Sequence, residues 1–504
     1  MTGVYANQTR NDKLKPAQEK FETIINQLLS GEVAKLTHGS AEELINKEGT
    51  ELLRILLQGY LDVRAFDETR RESVTGSDGI VRNRCRKDCK RDLESIFGEV
   101  VVTRCAYNAL DTNSLFPLDA ELNLPIEKYS HGLRIRASYE VQKSSFGESL
   151  TSIVRTTGGM IPNRQIQQIS DIIAQDFDDF YKVREFDSQE NTKDLLVMTT
   201  DGKGIVMRHE SLRDHTRHAA ERDHKKLKTR LSKGEKRNRK RMSTVASVYT
   251  IETYERTPEQ IMSSSNNSDN ADKPPKPQNK RVWASVERSA KEVIDEVFQE
   301  ALRRDPLKLR QWVMLVDGEP RQLAHIQDCI KKYKVDVFIV LDFIHVLEYL
   351  WKASYCFNNE GSEEAEKWVG DRALKILKGQ MSGVAAGITR SATLRKLDSK
   401  KRLPADKCAD YLLKYKSFLQ YDLYLKEGLP IATGVIEGAC RYLVKDRMDI
   451  TGARWGLKSA EAILKLRSLY ASDDYDEYFE FHKEQEFKRN HQSKYEDSLV
   501  KLAA

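Results

Sequence analysis

The chain has 504 residues, of which 39% are hydrophobic and 32% charged, and its formal net charge is +6. This length predicts three or four domains, and the apolar share is large enough for a packed core. Because no run approaches the roughly 18 apolar residues of a membrane span, we expect neither a membrane protein nor a membrane partner.

The first residues and the cysteines favour a cytoplasmic protein. The opening sequence MTGVYANQTRNDKLKP lacks the apolar segment of a secretory signal. The chain has seven cysteines without small-domain spacing, a pattern that does not predict a disulfide framework. Cys85 and Cys89 stand at a spacing that can bind a metal, but no Cys or His pair follows at zinc-finger distance. We therefore expect no zinc site there.

Residues 1–190 are predicted to form a mainly helical DNA-binding region. Apolar residues recur at helical spacing between positions 14 and 66. The segment ESIFGEVVVTRCAY alternates around a glycine, so a short strand pair is expected near 95–107. Residues 146–181 have the helix, glycine-bearing turn and helix of a helix-turn-helix DNA reader, although any two packed helices share that outline.

Positive charge is concentrated in a basic arm, residues 203–241. This arm contains fifteen Lys or Arg residues against five Asp or Glu, a local charge of +10, whereas the rest of the chain sums to −4. Clustered cations release counterions from a nucleic-acid backbone, which favours a phosphate-binding arm over an ordinary solvated surface. The residues expected to contact DNA here are Lys236, Arg237, Arg239, Lys240 and Arg241.

Strands alternate with helices in the second half of the chain, which predicts an α/β fold with parallel strand pairing and flanking helices. This core is expected over 191–357 and 431–470. A stretch rich in Ser, Asn and Pro at 256–280 predicts a flexible loop within it. Residues 358–430 are predicted to be an all-helical insertion, and residues 471–504 a C-terminal tail.

Three aspartates follow apolar segments of this core. Asp201 and Asp317 lie at or just past the ends of predicted strands, where α/β sheets bind ligands, but an Asp-Gly turn explains either residue alone. Asp342 also follows a strand, directly before a helix, where Asp is a good N-cap and His345 faces the same helix start. Asp317 is therefore the preferred second acid, and Asp342 with His345 is the alternative.

The third acid is Glu437, in the predicted helix GVIEGACRYLVKD. Its apolar stripe, which predicts a core-facing side, is Ile436, Ala439, Cys440, Leu443 and Val444. Glu437, Arg441 and Lys445 form the adjoining stripe, which is either a surface ion pair or an acid beside two phosphate-binding cations. Three gathered carboxylates repel one another, and Mg²⁺ or Mn²⁺ would remove that cost and support phosphoryl transfer on DNA.

Five segments of the chain resemble the ISKra-type transposases of bacterial insertion sequences. They are FPLDAELNLPIEKYSHGLR at 116–134, DGKGIVMR at 201–208, VDGEPRQL at 316–323, LDFIHVLEYLW at 341–351 and GVIEGACRYLVKDRMDITGARWGLKSAEAILKLRSLY at 434–470. The resemblance runs from about residue 40 to 470, and the last segment is its most specific part. It implies a DDE transposase with an RNase H-like core, which cuts the ends of its element and joins them to target DNA using Mg²⁺ or Mn²⁺.

The same resemblance implies roles for individual residues. The first acid of the triad matches Asp201 and the last matches Glu437. The run from Asp342 to His345 looks like a motif that follows the second acid, which leaves Asp317 as that acid, although the prominence of this block keeps Asp342 open. Arg454 and Trp455 look like DNA-contacting residues, with core packing as the alternative for Trp455.

The expected partners are double-stranded DNA, as transposon ends and target, and further copies of the chain, because two ends must be brought together. Two other functions are compatible with the same residues. One is a metal-dependent RNase H-like nuclease or resolvase without strand transfer. The other is a non-catalytic DNA-binding protein, which would bind a specific duplex without cleaving it.

Overall fold

The computed structural model describes residues 9–184, 193–222, 239–263 and 274–496. The chain divides into two compact units, residues 1–183 with 474–504, and residues 184–473. The predicted α/β class is confirmed, because helices accompany a five-stranded mixed sheet. Within the described ranges, no helix is both long and apolar enough to cross a membrane.

The first unit is mainly helical and carries four strands. Its helices are Arg10–Leu28, His38–Asp67, Pro117–Glu121, His131–Lys143, Phe146–Thr156, Asn163–Ile173, Phe177–Val183 and Tyr475–Asn490. Its strands are β1 (Val74–Thr75), β2 (Val81–Arg82), β3 (Arg84–Ser95) and β4 (Gly98–Asn108).

Strands β3 and β4 form a long antiparallel hairpin where the sequence predicts a strand pair near 95–107. Its turn uses Gly98 at a φ of +119°, a conformation that side-chain-bearing residues rarely adopt. Along β4, Val100 and Val102 are buried whereas Glu99 is exposed, as expected for a strand with one covered face. Strand β3 begins well before the predicted pair. The prediction missed its first part because the charged sequence RCRKDCKRD does not show the alternation of apolar and polar residues that identifies a strand.

The predicted helix-turn-helix segment contains three helices. The second predicted helix ends at Ile173, and a separate helix starts at Phe177. The glycines between the first two helices pack against the β3–β4 hairpin: a Cβ at Gly158 would lie 2.4 Å from the carbonyl oxygen of Phe97. A close backbone approach therefore explains these glycines without reference to DNA.

The predicted C-terminal tail contains a helix of the first unit, Tyr475–Asn490. Tyr478, Phe479 and His482 are buried on it. The guanidinium of Arg134 donates to both carboxylate oxygens of Glu486, at 2.7 and 2.9 Å. The alternating acidic and aromatic residues of this helix hide its apolar face, so the sequence alone did not separate it from a solvated tail.

The second unit is built on one mixed sheet of five strands in the order β7-β6-β5-β8-β9. They are β5 (Leu195–Val206), β6 (Lys240–Ile251), β7 (Gln278–Ser285), β8 (Trp312–Val316) and β9 (Val337–Leu341). Strands β5, β6 and β7 pair antiparallel, whereas β8 and β9 continue the sheet parallel to β5. All five residues of β8 are buried, which accounts for the unbroken apolar run WVMLV.

Helices cover this sheet and form the segment expected to be an insertion at 358–430. The helices of the second unit are Asp214–Arg222, Pro258–Ser263, Ala290–Arg304, Pro320–Tyr333, Phe343–Ser354, Glu363–Leu377, Met381–Leu394, Ser399–Lys414, Tyr421–Lys426, Gly434–Ala439, Asp446–Met448 and Leu457–Ala471. The predicted flexible loop at 256–280 is partly regular, with a short helix and the start of β7, while its residues 264–273 lie outside the described ranges.

Candidate active site at the strand ends

Three aspartates align where the parallel strands β5, β8 and β9 meet. Two ladder pairs fix the register of these strands: Thr199–Leu315 and Val316–Leu341. Continued to the strand ends, this register aligns Asp201, Asp317 and Asp342. The register therefore brings the backbone positions of the three aspartates side by side on neighbouring strands.

Asp201 lies inside a strand and not at its end. Strand β5 continues through Gly202 to Val206, and Asp201 pairs with Val245 of β6. The Asp-Gly turn interpretation is therefore wrong for Asp201. At Asp201, β5 is still paired with β6 on one side, whereas β8 on the other side has already ended. The Asp201 carboxylate is half-buried.

A thiol connects Asp201 to the helix that carries Glu437. Cys440 donates from Sγ to Oδ2 of Asp201 at 3.1 Å, and the backbone N–H of Gly202 donates to Oδ1. Burial and the charge of Asp201 raise the pKa of the Cys440 thiol, so it stays protonated and remains a donor. The contact places the Glu437 helix against β5.

Glu437 itself is an exposed side chain in the first turns of the helix Gly434–Ala439. Partial loss of hydration raises its pKa, and the charges of Asp342 and Asp201 raise it further. Carboxylates far apart in the sequence thus repel Glu437 in the folded chain. The predicted apolar stripe of this helix is confirmed, since all five of its residues are buried.

Asp342 is buried, and both of its carboxylate oxygens accept hydrogen bonds. Its Oδ1 accepts the backbone N–H of Ile344 at 2.9 Å, which confirms the predicted N-cap, and its Oδ2 accepts the hydroxyl of Thr433. Burial raises its pKa. Thr433 precedes the Glu437 helix, and its carbonyl accepts the backbone N–H of Glu437 at 3.2 Å. Asp342 therefore holds in place the residue that precedes that helix.

Asp317 is half-buried, and within the described residues its carboxylate accepts fewer hydrogen bonds than that of Asp342. Its Oδ1 accepts the N–H of Glu319 at 3.0 Å, and Gly318 follows at a φ of +90°, so the turn interpretation is confirmed at this position. The hydroxyl of Tyr411 donates to the Asp317 carbonyl oxygen at 3.3 Å.

A cleft of about 460 Å³ opens beside Asp317. Its walls include His345, Tyr349, Lys407, Tyr411 and Lys414. The rings of Tyr349 and Tyr411 are stacked with their centroids 4.2 Å apart. Tyrosine rings and lysine amines are groups that contact bases and phosphates, so the cleft could receive a nucleic-acid strand next to the carboxylates.

The carboxylates fit a divalent cation in donor chemistry. Mg²⁺ and Mn²⁺ prefer carboxylate oxygens, and a cation would relieve the repulsion that raises the pKa of Glu437. In the described part of the chain, the side chains form no group of three or more His, Cys, Asp or Glu residues that could hold a metal ion. Asp201 and Asp342 instead use their oxygens on protein donors.

The two cations predicted beside Glu437 are exposed, but the expected helical spacing is not kept. From Cys440 to Lys445 the helix widens into a π-helix, which changes the stacking of side chains along its surface. Arg441 forms an ion pair with Asp446 at 3.7 Å, in place of the predicted surface pair with Glu437. Lys445 is exposed.

Trp455 packs inside the second unit, while its neighbour Arg454 is exposed. The Trp455 indole N–H donates to the Met448 carbonyl oxygen at 3.0 Å, and the guanidinium of Arg447 lies 4.8 Å from the ring centroid. These contacts assign Trp455 to the core, so the predicted DNA contact does not hold for this side chain. For the exposed Arg454, contact with DNA stays a prediction.

The basic arm is described only at its two ends. Lys236 and Arg237 lie outside the described residues, while Arg239 is half-buried and Lys240 exposed. Arg241 is committed to the protein, because its guanidinium donates to the carbonyl oxygens of Val286, Ser211 and Glu287, at 2.8, 3.3 and 3.2 Å. Arg241 is therefore a structural cation and not the free phosphate ligand that the sequence predicts.

The chain matches no protein-family model and no curated protein. The function is therefore inferred from the residues and their geometry. Sequence reasoning missed two contributors to the site, Thr433 and Cys440. The signal for Cys440 is its place in the apolar stripe next to Glu437, which predicts that its thiol faces the core. Thr433 had no such signal, since its partner comes from a distant strand.

Proposed function

We propose that the chain is a DDE transposase of a bacterial insertion sequence, with an RNase H-like core formed by the second unit. The observation that carries the proposal is the contact of the Glu437 helix with β5, through Cys440 and Asp201. This contact sets the helix of the implied last acid against the strand of the implied first acid. The mixed five-stranded sheet, with Asp317 in register beside Asp201, supports the same conclusion.

In this proposal Asp201, Asp317 and Glu437 hold the divalent cations. When bound, Mg²⁺ or Mn²⁺ supplies Lewis-acid activation of the attacking hydroxyl and stabilisation of the leaving oxygen. Cys440 orients the Asp201 carboxylate by its hydrogen bond. Asp342 acts as a positioning residue, because it holds Thr433 and thereby the start of the Glu437 helix.

The exposed cations around the site would contact DNA phosphates. Arg441, Lys445 and Arg454 are exposed close in sequence to Glu437 and Trp455. Lys407 and Lys414 line the cleft beside Asp317. Lysine and arginine at such positions neutralise phosphates and fix the strand without reading its sequence.

We assign recognition of the transposon ends to the first unit. In its helix Asn163–Ile173, the isoleucines at 166, 169 and 173 are buried, while Arg164 and Gln168 are exposed. Arg and Gln are the side chains that bind guanine and adenine edges in the major groove. Because two ends are processed together, the active form is expected to be a homo-oligomer on DNA.

The test is a strand-transfer assay with the full chain, oligonucleotides carrying the element's ends, a plasmid target and Mg²⁺. A transposase gives end-to-target joined products, whereas a nuclease gives cut ends without joining and a repressor gives binding alone. The variant Glu437→Gln should lose both cutting and joining while keeping end binding. Joining that persists in this variant would contradict the assignment.

A further inference from the structure

A second charged site lies in the first unit, separate from the carboxylates. A pocket of about 250 Å³ opens between the β3–β4 hairpin, the helix Pro117–Glu121 and the segment that follows the C-terminal helix. Its polar lining includes Arg91, Arg104, Asp119, His491 and Lys494. Its apolar walls come from Leu115, Phe116, Leu124, Ile126 and Tyr495.

The charges around this pocket are not balanced. Three cations, Arg91, Arg104 and Lys494, face one carboxylate, Asp119. Arg104 Nε lies 2.7 Å from Asp119 Oδ1, and Arg91 Nη1 lies 3.5 Å from Asp119 Oδ2. The next carboxylate that acts on Arg91, Glu127, also lies 3.9 Å from a guanidinium nitrogen of Arg134. The pocket therefore carries an excess of about two positive charges.

The arginines are held rigidly in place. One terminal nitrogen of Arg91 donates to the carbonyl oxygens of residues 125–127. Arg104 donates to the Cys89 carbonyl oxygen at 3.0 Å and stacks 4.4 Å above the Phe116 ring. Its Nε and the facing Asp119 Oδ1 make no hydrogen bond of good geometry within the described chain. A fixed guanidinium loses little entropy when it binds a ligand.

Burial is the main cause of the pKa shifts of these cations. Burial lowers the pKa of Arg91, the charge of Asp119 opposes this shift, and the charge of Arg104 adds a smaller lowering. Burial also lowers the pKa of Lys494, with Arg91 adding to the effect. No hydrogen bond or ion pair is made by the exposed Lys494 amine within the described part of the chain. A bound anion would remove the repulsion between these cations.

We propose that this pocket binds a phosphate group. A phosphate monoester near neutral pH carries a charge close to −2, which matches the excess in the pocket. Arginine binds phosphate oxygens through its planar fork, and lysine adds a mobile point charge. The apolar walls suit the organic part of a phosphorylated compound or the sugar next to a nucleic-acid phosphate. This site does not depend on the proposed transposase activity.

The proposal is tested by calorimetric titration of the full chain with inorganic phosphate near neutral pH, at constant ionic strength set with chloride. The wild type should bind phosphate, and Lys494→Gln should weaken binding about tenfold, because one charge-assisted hydrogen bond is lost. Arg104→Lys, which keeps the charge but loses the fork, should weaken it similarly. Lys488→Gln, an exposed lysine outside the pocket, is the matched control and should bind like the wild type.

A duplex with a 5′-phosphate and its 5′-hydroxyl twin then identify the source of the phosphate. Displacement of inorganic phosphate by either duplex indicates a nucleic-acid phosphate, and no displacement indicates a small phosphorylated compound. Both results support the pocket. Equal phosphate affinity in the wild type, Lys494→Gln and Arg104→Lys would overturn the proposal, as would an equal loss in Lys488→Gln. Thermal unfolding of each variant establishes that it is folded.

Discussion

Both units bring like charges together, but the two clusters differ in sign and in what balances them. In the second unit, Asp342 and Asp201 raise the pKa of Glu437. In the first unit, Arg104 helps to lower the pKa of Arg91. Each cluster is stable in the folded chain only at an electrostatic cost, which a ligand of opposite charge would remove.

A third cluster has the same ratio of three cations to one carboxylate, but here every cation bonds to that carboxylate. Glu300 is fully buried in the second unit, with three arginines around it. Their charges lower its pKa to about 2, although burial alone would raise it. Each of these arginines donates to a carboxylate oxygen of Glu300, and the cluster joins β7 to the helix Ala290–Arg304. Charge excess alone therefore does not mark a ligand site, and the first-unit pocket differs because its exposed Lys494 amine makes no hydrogen bond or ion pair within the described residues.

The largest expected effect separates the two candidates for the second acid. Asp317→Asn should reduce end cleavage about a thousandfold, because several kcal/mol of transition-state stabilisation are lost with a metal-binding carboxylate. Its unfolding free energy should change little, since Asp317 is half-buried in a turn. Asp342→Asn should instead lower stability through its buried contacts. Cleavage assays and urea unfolding on both variants decide the order.

Full cleavage by Asp317→Asn would exclude Asp317 as the second acid. If Asp342→Asn is also inactive while its unfolding free energy equals that of the wild type, Asp342 takes that role. The parallel measurement of end binding guards against a global defect in either variant.

The second effect concerns acid stability of the first unit. Burial and the neighbouring charge of Arg134 lower the pKa of His131 to about 4 from 6.5. Because the folded state binds this proton less readily than the unfolded one, stability is complete above pH 6.5 and falls between pH 6.5 and about 4. The slope should approach roughly 1 kcal/mol per pH unit.

Urea unfolding across this pH range measures the slope. His131→Gln keeps a donor for the Asn123 carbonyl oxygen, which His131 Nε2 contacts at 2.9 Å. The variant should lose most of the pH dependence in this window. An unchanged slope in His131→Gln would show that other groups cause the acid sensitivity.

A smaller effect is expected at the link between Asp342 and the Glu437 helix. Thr433→Val removes the hydroxyl that donates to the buried Asp342 carboxylate and should cost about 2 kcal/mol. Thr433→Ser keeps the donor and should recover most of the loss. Urea unfolding gives the free energies, and similar losses in both variants would assign the effect to packing.

The smallest effect concerns the thiol that contacts Asp201. Cys440→Ala should lower the unfolding free energy by about 1 kcal/mol, through the lost hydrogen bond and the small cavity left behind. Cys440→Ser retains a donor to Asp201. If the contact orients the carboxylate, end cleavage by the serine variant should exceed that of the alanine variant, and equal rates would remove Cys440 from the functional argument.

The sequence predicted the general plan of the second unit well. Buried parallel strands have unbroken apolar runs, as in the WVMLV of β8, and the apolar stripe around Cys440 repeats at helical spacing. These signals depend on local periodicity, which survives in a single sequence. The strand-end aspartates followed from the same logic, because the end of an apolar run marks the edge of a sheet.

The remaining features depend on contacts between distant residues. The Asp342–Thr433 bond joins a strand end to a helix start 91 residues later, and no local pattern marks either partner. Arg241 resembles its basic neighbours in sequence, yet only the fold places three carbonyl oxygens around its guanidinium. The helix Tyr475–Asn490 joins the first unit through Arg134, which no composition rule could predict.

The central claim is that Asp201 and Glu437 act on the same divalent cation. It is tested most directly by titrating the full chain with Mn²⁺ and recording the free ion by electron paramagnetic resonance. Asp201→Asn and Glu437→Gln should each weaken Mn²⁺ binding about tenfold or more, since each removes one carboxylate ligand. Glu484→Gln, an exposed acid of the first unit, should bind like the wild type. Unchanged Mn²⁺ affinity in Glu437→Gln would contradict the claim.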